Sequence, residues 1–189
     1  MTARILAIAG SLRAGSHNAT LLRAAAAAAP EGVEMVPFEG LRDLPHYDED
    51  IDVDPPEPAV AALRDAIASA DAVLLATPEY NGTIPGVLKN AIDWASRPRG
   101  EAALAGKPAA VVGATTGGFG AVWAQADARK ALGIAGARVI ESGVAIPSAP
   151  DHLDPEAGLR TSTFARQLAG VLEELRDEVE HSVLARAVS

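Results

Sequence analysis

Short apolar runs alternate with longer amphipathic stretches along this chain, and that alternation predicts its elements. Ala3 to Gly10 is a continuous apolar run backed by turn residues, the pattern of a strand buried on both faces. Asn18 to Ala29 predicts a helix, stopped by Pro30. Val33 to Phe38 predicts a second strand, and Leu41 to Pro58 an acidic, proline-containing loop. A helix follows over Pro58 to Ser69, with Val60, Leu63 and Ile67 as its apolar positions. Asp71 to Thr77 holds the clearest strand, "AVLLAT". After the loop "PEYNGT" comes a helix over Ile84 to Ser96, with Ile84, Val87, Leu88, Ala91, Ile92 and Ala95 at helical spacing. Pro85 is expected in its first turn, where it costs no backbone bond. Pro108 to Ala114 predicts strand four, Ala121 to Leu132 a helix after a glycine-rich loop, and Arg138 to Ile146 strand five. A last helix is expected from just after Pro155 to Leu184, with Leu159, Leu168, Val171, Leu172 and Leu175 on one side.

Strands and helices thus alternate five times, which implies right-handed crossovers and a parallel sheet covered on both faces. The fold class is α/β: a flavodoxin-like three-layer sandwich whose five-stranded parallel sheet runs in the order 2-1-3-4-5. With no repeats or interior linkers, residues 1–189 are expected to form one domain. In such sheets ligands bind beyond the carboxyl ends of the strands near the switch point, so the loops after strands one, three and four are the candidate site.

Composition narrows the function classes. Sixteen Lys and Arg against twenty-five Asp and Glu leave a net charge of -9, which disfavours nucleic acid and anionic membrane as partners. The absence of cysteine excludes disulfides, thiolate metal sites and cysteine nucleophiles. Neither the N-terminal apolar run, which is short, nor Ala24 to Ala29, which follows Arg23, reads as a membrane or export segment. The uncharged stretch Pro108 to Ala126 carries four glycines and reads as strand, loop and helix start. A cytoplasmic location is expected.

The first loop, "GSLRAGSHN" at residues 10 to 18, opens a helix. A helix start presents unpaired N–H groups that favour an anion, Ser11, Ser16, Asn18 and Thr20 add short donors, and Arg13 adds a planar fork suited to phosphate. The alternative is that Ser16 or Asn18 only caps the helix and Arg13 is solvated. No Gly-x4-Gly-Lys-Ser/Thr run exists, and Gly10 and Gly15 do not make a dinucleotide fingerprint. Side-chain donors in place of close backbone approach suit a terminal monophosphate.

That loop and "TPEYNGTIPGVLKNAIDW" at residues 77 to 94 resemble the two signature loops of the NADPH-dependent FMN reductase family, the flavodoxin-like quinone and chromate reductases. "ATTGGFGAVWAQADARKAL" at residues 114 to 132 and "DLPHYDED" at residues 43 to 50 are similar to further family elements. The resemblance implies that Ser11, Leu12, Arg13, Ser16, His17 and Asn18 hold an FMN phosphate, His17 through its amide. It implies that Pro78, Glu79, Tyr80, Asn81 and Gly82 line one side of the isoalloxazine ring, chiefly through main-chain groups. Thr115, Gly117 and Gly118 would stand near the other flavin edge. Hydride would pass from NADPH or NADH to the flavin and on to a quinone or similar small acceptor, with no catalytic side chain and no metal. A homodimer or homotetramer is implied as well. A flavin reductase that releases its product to a monooxygenase, and a flavodoxin-like electron carrier, are the alternatives.

Two residues depart from the family pattern: Ala121 stands where a second glycine is expected and Trp123 where an arginine is expected. The departure leaves nicotinamide preference and assembly mode open, and Trp123 fits either stacking on a substrate or partner chain, or packing in an interface or core. Trp94 reads as a packing or dimer-contact residue, and Tyr80 as a substrate contact or a cover for the flavin. His17, His46, His152 and His181 show no metal spacing. The run "DEDIDVD" at residues 48 to 54 begins like a calcium loop but puts Pro55 and Ala61 where glycine and glutamate are needed, so it reads as a solvated acidic loop.

Overall fold

Strand β1 (Ala3–Ala9) sends Ile5 and Ala7 into one core and Leu6 and Ile8 into another, the two-residue alternation of a strand covered on both faces. The computed structural model describes residues 2–188. After β1 come α1 (His17–Ala27), β2 (Val33–Phe38), α2 (Pro58–Ser69), β3 (Ala72–Thr77), α3 (Gly86–Ala95), β4 (Pro108–Ala114) and α4 (Val122–Ile134). Two short strands, β5 (Arg138–Val139) and β6 (Ala145–Ile146), lead to α5 (Ala149–His152), β7 (Leu153–Asp154), β8 (Gly158–Leu159) and α6 (Ser162–Val188). The main sheet is parallel in the order β2-β1-β3-β4-β5, with β6 also on β4, which is the flavodoxin-like order 2-1-3-4-5.

Leu21, Leu22 and Ala25 of α1 and Leu168, Val171, Leu172 and Leu175 of α6 bury against one face. Val60, Leu63 and Ile67 of α2, Leu88 and Ile92 of α3, and Ala128 and Leu132 of α4 cover the other. With a helical layer on each side, the central strands β3 and β4 are buried along their whole length.

Three elements differ from the sequence expectation. The fifth strand is split because the Arg129 side chain of α4 enters the ladder: its Nη2 donates to the carbonyls of Val111 (3.0 Å) and Ser142 (3.2 Å). Gly143 makes room, since a Cβ there would lie 2.7 Å from the Val111 oxygen. The last helix starts at Ser162 rather than after Pro155, because Asp154 Oδ1 accepts from the amides of Glu156 and Ala157 (both 2.9 Å) and turns the chain into the β7–β8 hairpin. Leu159 is therefore a strand residue. Pro85 is extended (ψ 143°) and sits just outside α3 as its cap.

The acidic loop is pinned rather than freely solvated. Asp52, its side chain only 7% exposed, accepts from Arg64 Nη2 and Arg97 Nε at 2.8 Å each. The Arg64 hydrogen bond, aided by Arg97 and opposed by burial, holds the Asp52 carboxyl below its usual range. Trp94 is buried in this chain: its Nε1 donates to the Pro45 carbonyl (2.8 Å), and Tyr47 meets its ring edge-on at 4.9 Å. Asn90 donates to the same carbonyl and accepts from the Tyr47 amide.

Candidate functional site

The loops after β1, β3 and β4 lie together at the carboxyl edge of the sheet because backbone and side-chain bonds tie them. Gly10 donates to the Ala76 carbonyl (2.8 Å) at the end of β3, and a Cβ on Gly10 would stand 2.8 Å from Leu88 Cδ2, so glycine lets β1 end against α3. Asn18 joins the first loop to β4. Its Nδ2 donates to the Ala114 carbonyl and its Oδ1 accepts from the Ala114 amide, both at 2.9 Å and buried. The amides of Gly113 and Thr115 donate to Val144 and Ile146, so Ala114 turns its own peptide groups toward β3. There β3 ends at Thr77, and the Asn18 carboxamide supplies the partners that a continuing strand would have offered Ala114.

Ser16 is the cap of α1: its Oγ accepts from the Ala19 amide (3.2 Å), and its carbonyl takes the Thr20 amide. Among the described residues, the amides of His17 and Asn18 have no acceptor, and they open the helix beside exposed Arg13. Burial, and then the neighbouring Arg13 charge, lower the His17 pKa from its ordinary value. The positive character of the loop thus rests on Arg13 and the helix start. Ser11 Oγ accepts from the Arg13 amide (3.4 Å), while Leu12, partly buried against the core, has its carbonyl held by Arg42 Nη2 (2.7 Å). Arg42 was not singled out by sequence, since nothing local marks a residue after β2 as a support for the loop after β1.

The second loop is a tight turn. Tyr80 and Thr83 exchange backbone bonds (3.1 and 3.2 Å) around Asn81 and Gly82, both of which have positive φ (54° and 76°). Thr77 Oγ1 donates to the Pro78 carbonyl, and half-exposed Tyr80 flanks the turn. Glu79 reaches away to α4, where its Oε2 accepts from the amides of Trp123 (3.0 Å) and Ala124 (3.1 Å).

In the third loop Thr115 Oγ1 accepts from the Gly117 amide (3.3 Å), and the Gly117 carbonyl takes the Ser148 amide (3.0 Å). A Cβ on Gly117 or Gly118 would meet nothing closer than 3.9 Å, so this backbone is open to close approach. Buried Gln125, also missed by sequence, braces the loop from below by donating to the carbonyls of Gly120 (3.0 Å) and Val144 (3.2 Å). At the loop's far end Phe119 and Trp123 are exposed, with ring centroids 4.9 Å apart. Trp123 is therefore not a core residue of this chain.

The chain matches the NADPH-dependent FMN reductase family over residues 3–151. It belongs to that family. Among curated proteins, an NAD(P)H-dependent FMN reductase of Pseudomonas aeruginosa is 47% identical over 131 residues, covering 68% of this chain and 69% of that one. A 2-hydroxy-1,4-benzoquinone reductase of a Burkholderia species is 45% identical over 129 residues, again 68% and 69% of the two chains. Among solved structures, the FerB flavoenzyme of Paracoccus denitrificans, an NAD(P)H:(acceptor) oxidoreductase, superposes with a TM-score of 0.85 at 35% identity, covering 95% of this chain and 98% of that one.

The donor set fits FMN. Unpaired first-turn amides beside a guanidinium suit a monophosphate, and two loops of open backbone suit a flat ring with a carbonyl edge.

Proposed function

We propose that this chain is an FMN-dependent NAD(P)H oxidoreductase that passes reducing equivalents to quinones or similar small acceptors. The observation that carries the reading is the joining of the three loops at one edge of the sheet, with unpaired amides at the start of α1 and open backbone in the other two. The names of the family and of the relatives above support the same activity. Ser11, Leu12, Arg13, Ser16, His17 and Asn18 form the phosphate end, with contact chiefly through the His17 and Asn18 amides, the hydroxyls and Arg13. The Asn18 and Glu79 side chains support the loops instead of reaching the ligand. Pro78, Glu79, Tyr80, Asn81 and Gly82 line one side of the ring, and Thr115, Gly117 and Gly118 the other edge.

Bound FMN would supply the redox chemistry between the nicotinamide and the acceptor. The protein holds the phosphate, presents amides to the ring and keeps both substrates on one open face. Rapid mixing of the FMN-loaded protein with NADPH or NADH is expected to bleach the flavin absorbance within the dead time or shortly after, at submillimolar donor. Absence of bleaching would favour an electron carrier, and loss of flavin on gel filtration during turnover would favour a reductase that releases its product.

Arg13→Ala is expected to weaken FMN binding by about 1.5–3 kcal/mol, the range of a hydrogen bond to a charged group, or roughly 10- to 150-fold. Titration of apoprotein with FMN, followed by quenching of flavin fluorescence, measures it. Unchanged affinity would remove Arg13 from the phosphate site.

The chain is read as one domain over residues 1–189, working in the cytoplasm as a homodimer or homotetramer. Exposed Val122, Trp123 and Ile134 leave apolar surface along α4, which supports assembly. No helix among the described residues is long and apolar enough to cross a membrane.

A further inference from the structure

Helix α4 starts without a cap of its own. Ala121 occupies the cap position in the left-handed region (φ 62°), and its methyl group can accept nothing. Two of the amides left over at that end, those of Trp123 and Ala124, both go to one oxygen of Glu79, a residue 44 and 45 positions earlier in the chain. Glu79 immediately precedes the Tyr80–Thr83 turn. On the other side of the turn, Thr83 Oγ1 donates to Asp127 Oδ2 at 2.6 Å, one helical turn further along α4. The turn is thus fastened to α4 at both of its ends, while Asn81 and Gly82 between them are exposed.

A tight turn with two consecutive positive-φ residues is closed by its own two backbone bonds, and these fix its shape but not its place. Its place is set by the two attachments to α4. A carboxylate at a helix start is favoured both by the amides it satisfies and by the helix dipole, so the Glu79 attachment is the stronger one.

We propose that Glu79 is a positioning residue for the flavin: through α4 it fixes where the Tyr80–Gly82 backbone stands. Thr83 and Asp127 form the second fastening of the same turn. This inference rests on the FMN reading given above. It concerns the Glu79 carboxylate, which touches α4 and not the ring. One consequence is that the turn and the Phe119–Trp123 ring pair move as one body, because Glu79 bonds the amide of Trp123 itself.

The test compares Glu79→Ala, Glu79→Gln and Thr83→Val in the full chain. Glutamine keeps an oxygen that can accept both amides, so it is the rescue. In apoprotein, hydrogen exchange of the Tyr80, Thr83, Trp123 and Ala124 amides is expected to rise at least tenfold in Glu79→Ala and to stay within about threefold of wild type in Glu79→Gln. In FMN titrations Glu79→Ala is expected to raise the dissociation constant about tenfold and to alter the visible circular dichroism of the bound flavin. Glu79→Gln is expected to restore both. Thr83→Val is expected to act in the same direction but more weakly, and the double variant Glu79→Ala/Thr83→Val to cost less than the product of the two, since both fasten one body. If Glu79→Ala lowers only the melting temperature and leaves loop exchange, affinity and dichroism alone, the inference is overturned. It is overturned equally if Glu79→Gln behaves like alanine in all three readouts. If the wild-type chain takes up no FMN at all, the functional reading falls and this inference falls with it, an outcome distinct from wild-type binding that Glu79→Ala leaves unchanged.

Discussion

Asn18→Ala is expected to lower the melting temperature by about 6–12 °C and to weaken FMN binding about tenfold. The carboxamide makes two buried bonds to Ala114, and alanine would leave both the amide and the carbonyl of that residue without a partner. Each lost bond costs on the order of 1–2 kcal/mol when a buried group is stranded, or about 3 kcal/mol together. For a chain of this size each kcal/mol moves the midpoint by roughly 2–4 °C. The effect on FMN has a different origin. Asn18 is in the first turn of α1, whose free amides are the proposed phosphate contacts, and its bond to β4 sets where those amides stand. Asn18→Asp is the informative companion, because a carboxylate can accept from the Ala114 amide but cannot donate to its carbonyl. It should retain part of the stability, while its charge opposes the phosphate. Thermal melts of the apoprotein and FMN titrations separate the two effects, and an Asn18→Ala protein that melts like wild type would refute the ladder role.

Asp52→Ala is expected to cost about 2–3 kcal/mol, and the loss should depend on pH. Breaking a buried ion pair by removing one partner costs about 3–5 kcal/mol, and the expected loss falls at or just below the bottom of that range because Arg97 retains access to water. Arg64 would be left beside Trp94 with only its bond to the Trp94 carbonyl. The folded carboxyl has a lowered pKa, so its contribution is complete above the ordinary carboxylate value near 4 and is lost as pH falls through the lower folded value. The gap in melting temperature between wild type and Asp52→Ala should therefore be constant from pH 7 to about 5 and shrink below about 4. A gap that stayed constant down to pH 3 would show that the carboxylate charge contributes nothing.

The elements that were legible in the sequence are those whose signal is local. Helix α2 begins and ends where Pro58 and the spacing of Val60, Leu63 and Ile67 place it, and β4 spans Pro108 to Ala114 as its apolar run implies. The break in the fifth strand was not legible, because what divides it is a guanidinium delivered from α4. The start of α6 was misplaced because Pro155 is a good first-turn residue in isolation, whereas the Asp154 carboxylate fixes it in a hairpin. The three site loops could be found from their composition, but the division of labour within them could not. Asn18 and Glu79 have side chains suited to a ligand, and the structure uses both on backbone of distant loops. Arg42 and Gln125 carry no local mark of their supporting roles, since the carbonyls they hold become neighbours only after the sheet has formed.

The interruption made by Arg129 also bears on how the protein avoids sticking to itself. The main sheet has two outer strands, and an outer strand with a long row of free N–H and C=O groups is a template for adding another chain. On one side β5 and β6 are two residues each, too short to template a partner. On the other, Pro37 sits within β2 opposite Ala7 and removes one donor from the row. The sheet thus ends on both sides in strands that cannot easily be extended, which keeps its edges from propagating into fibrils even though three apolar residues stand exposed on α4.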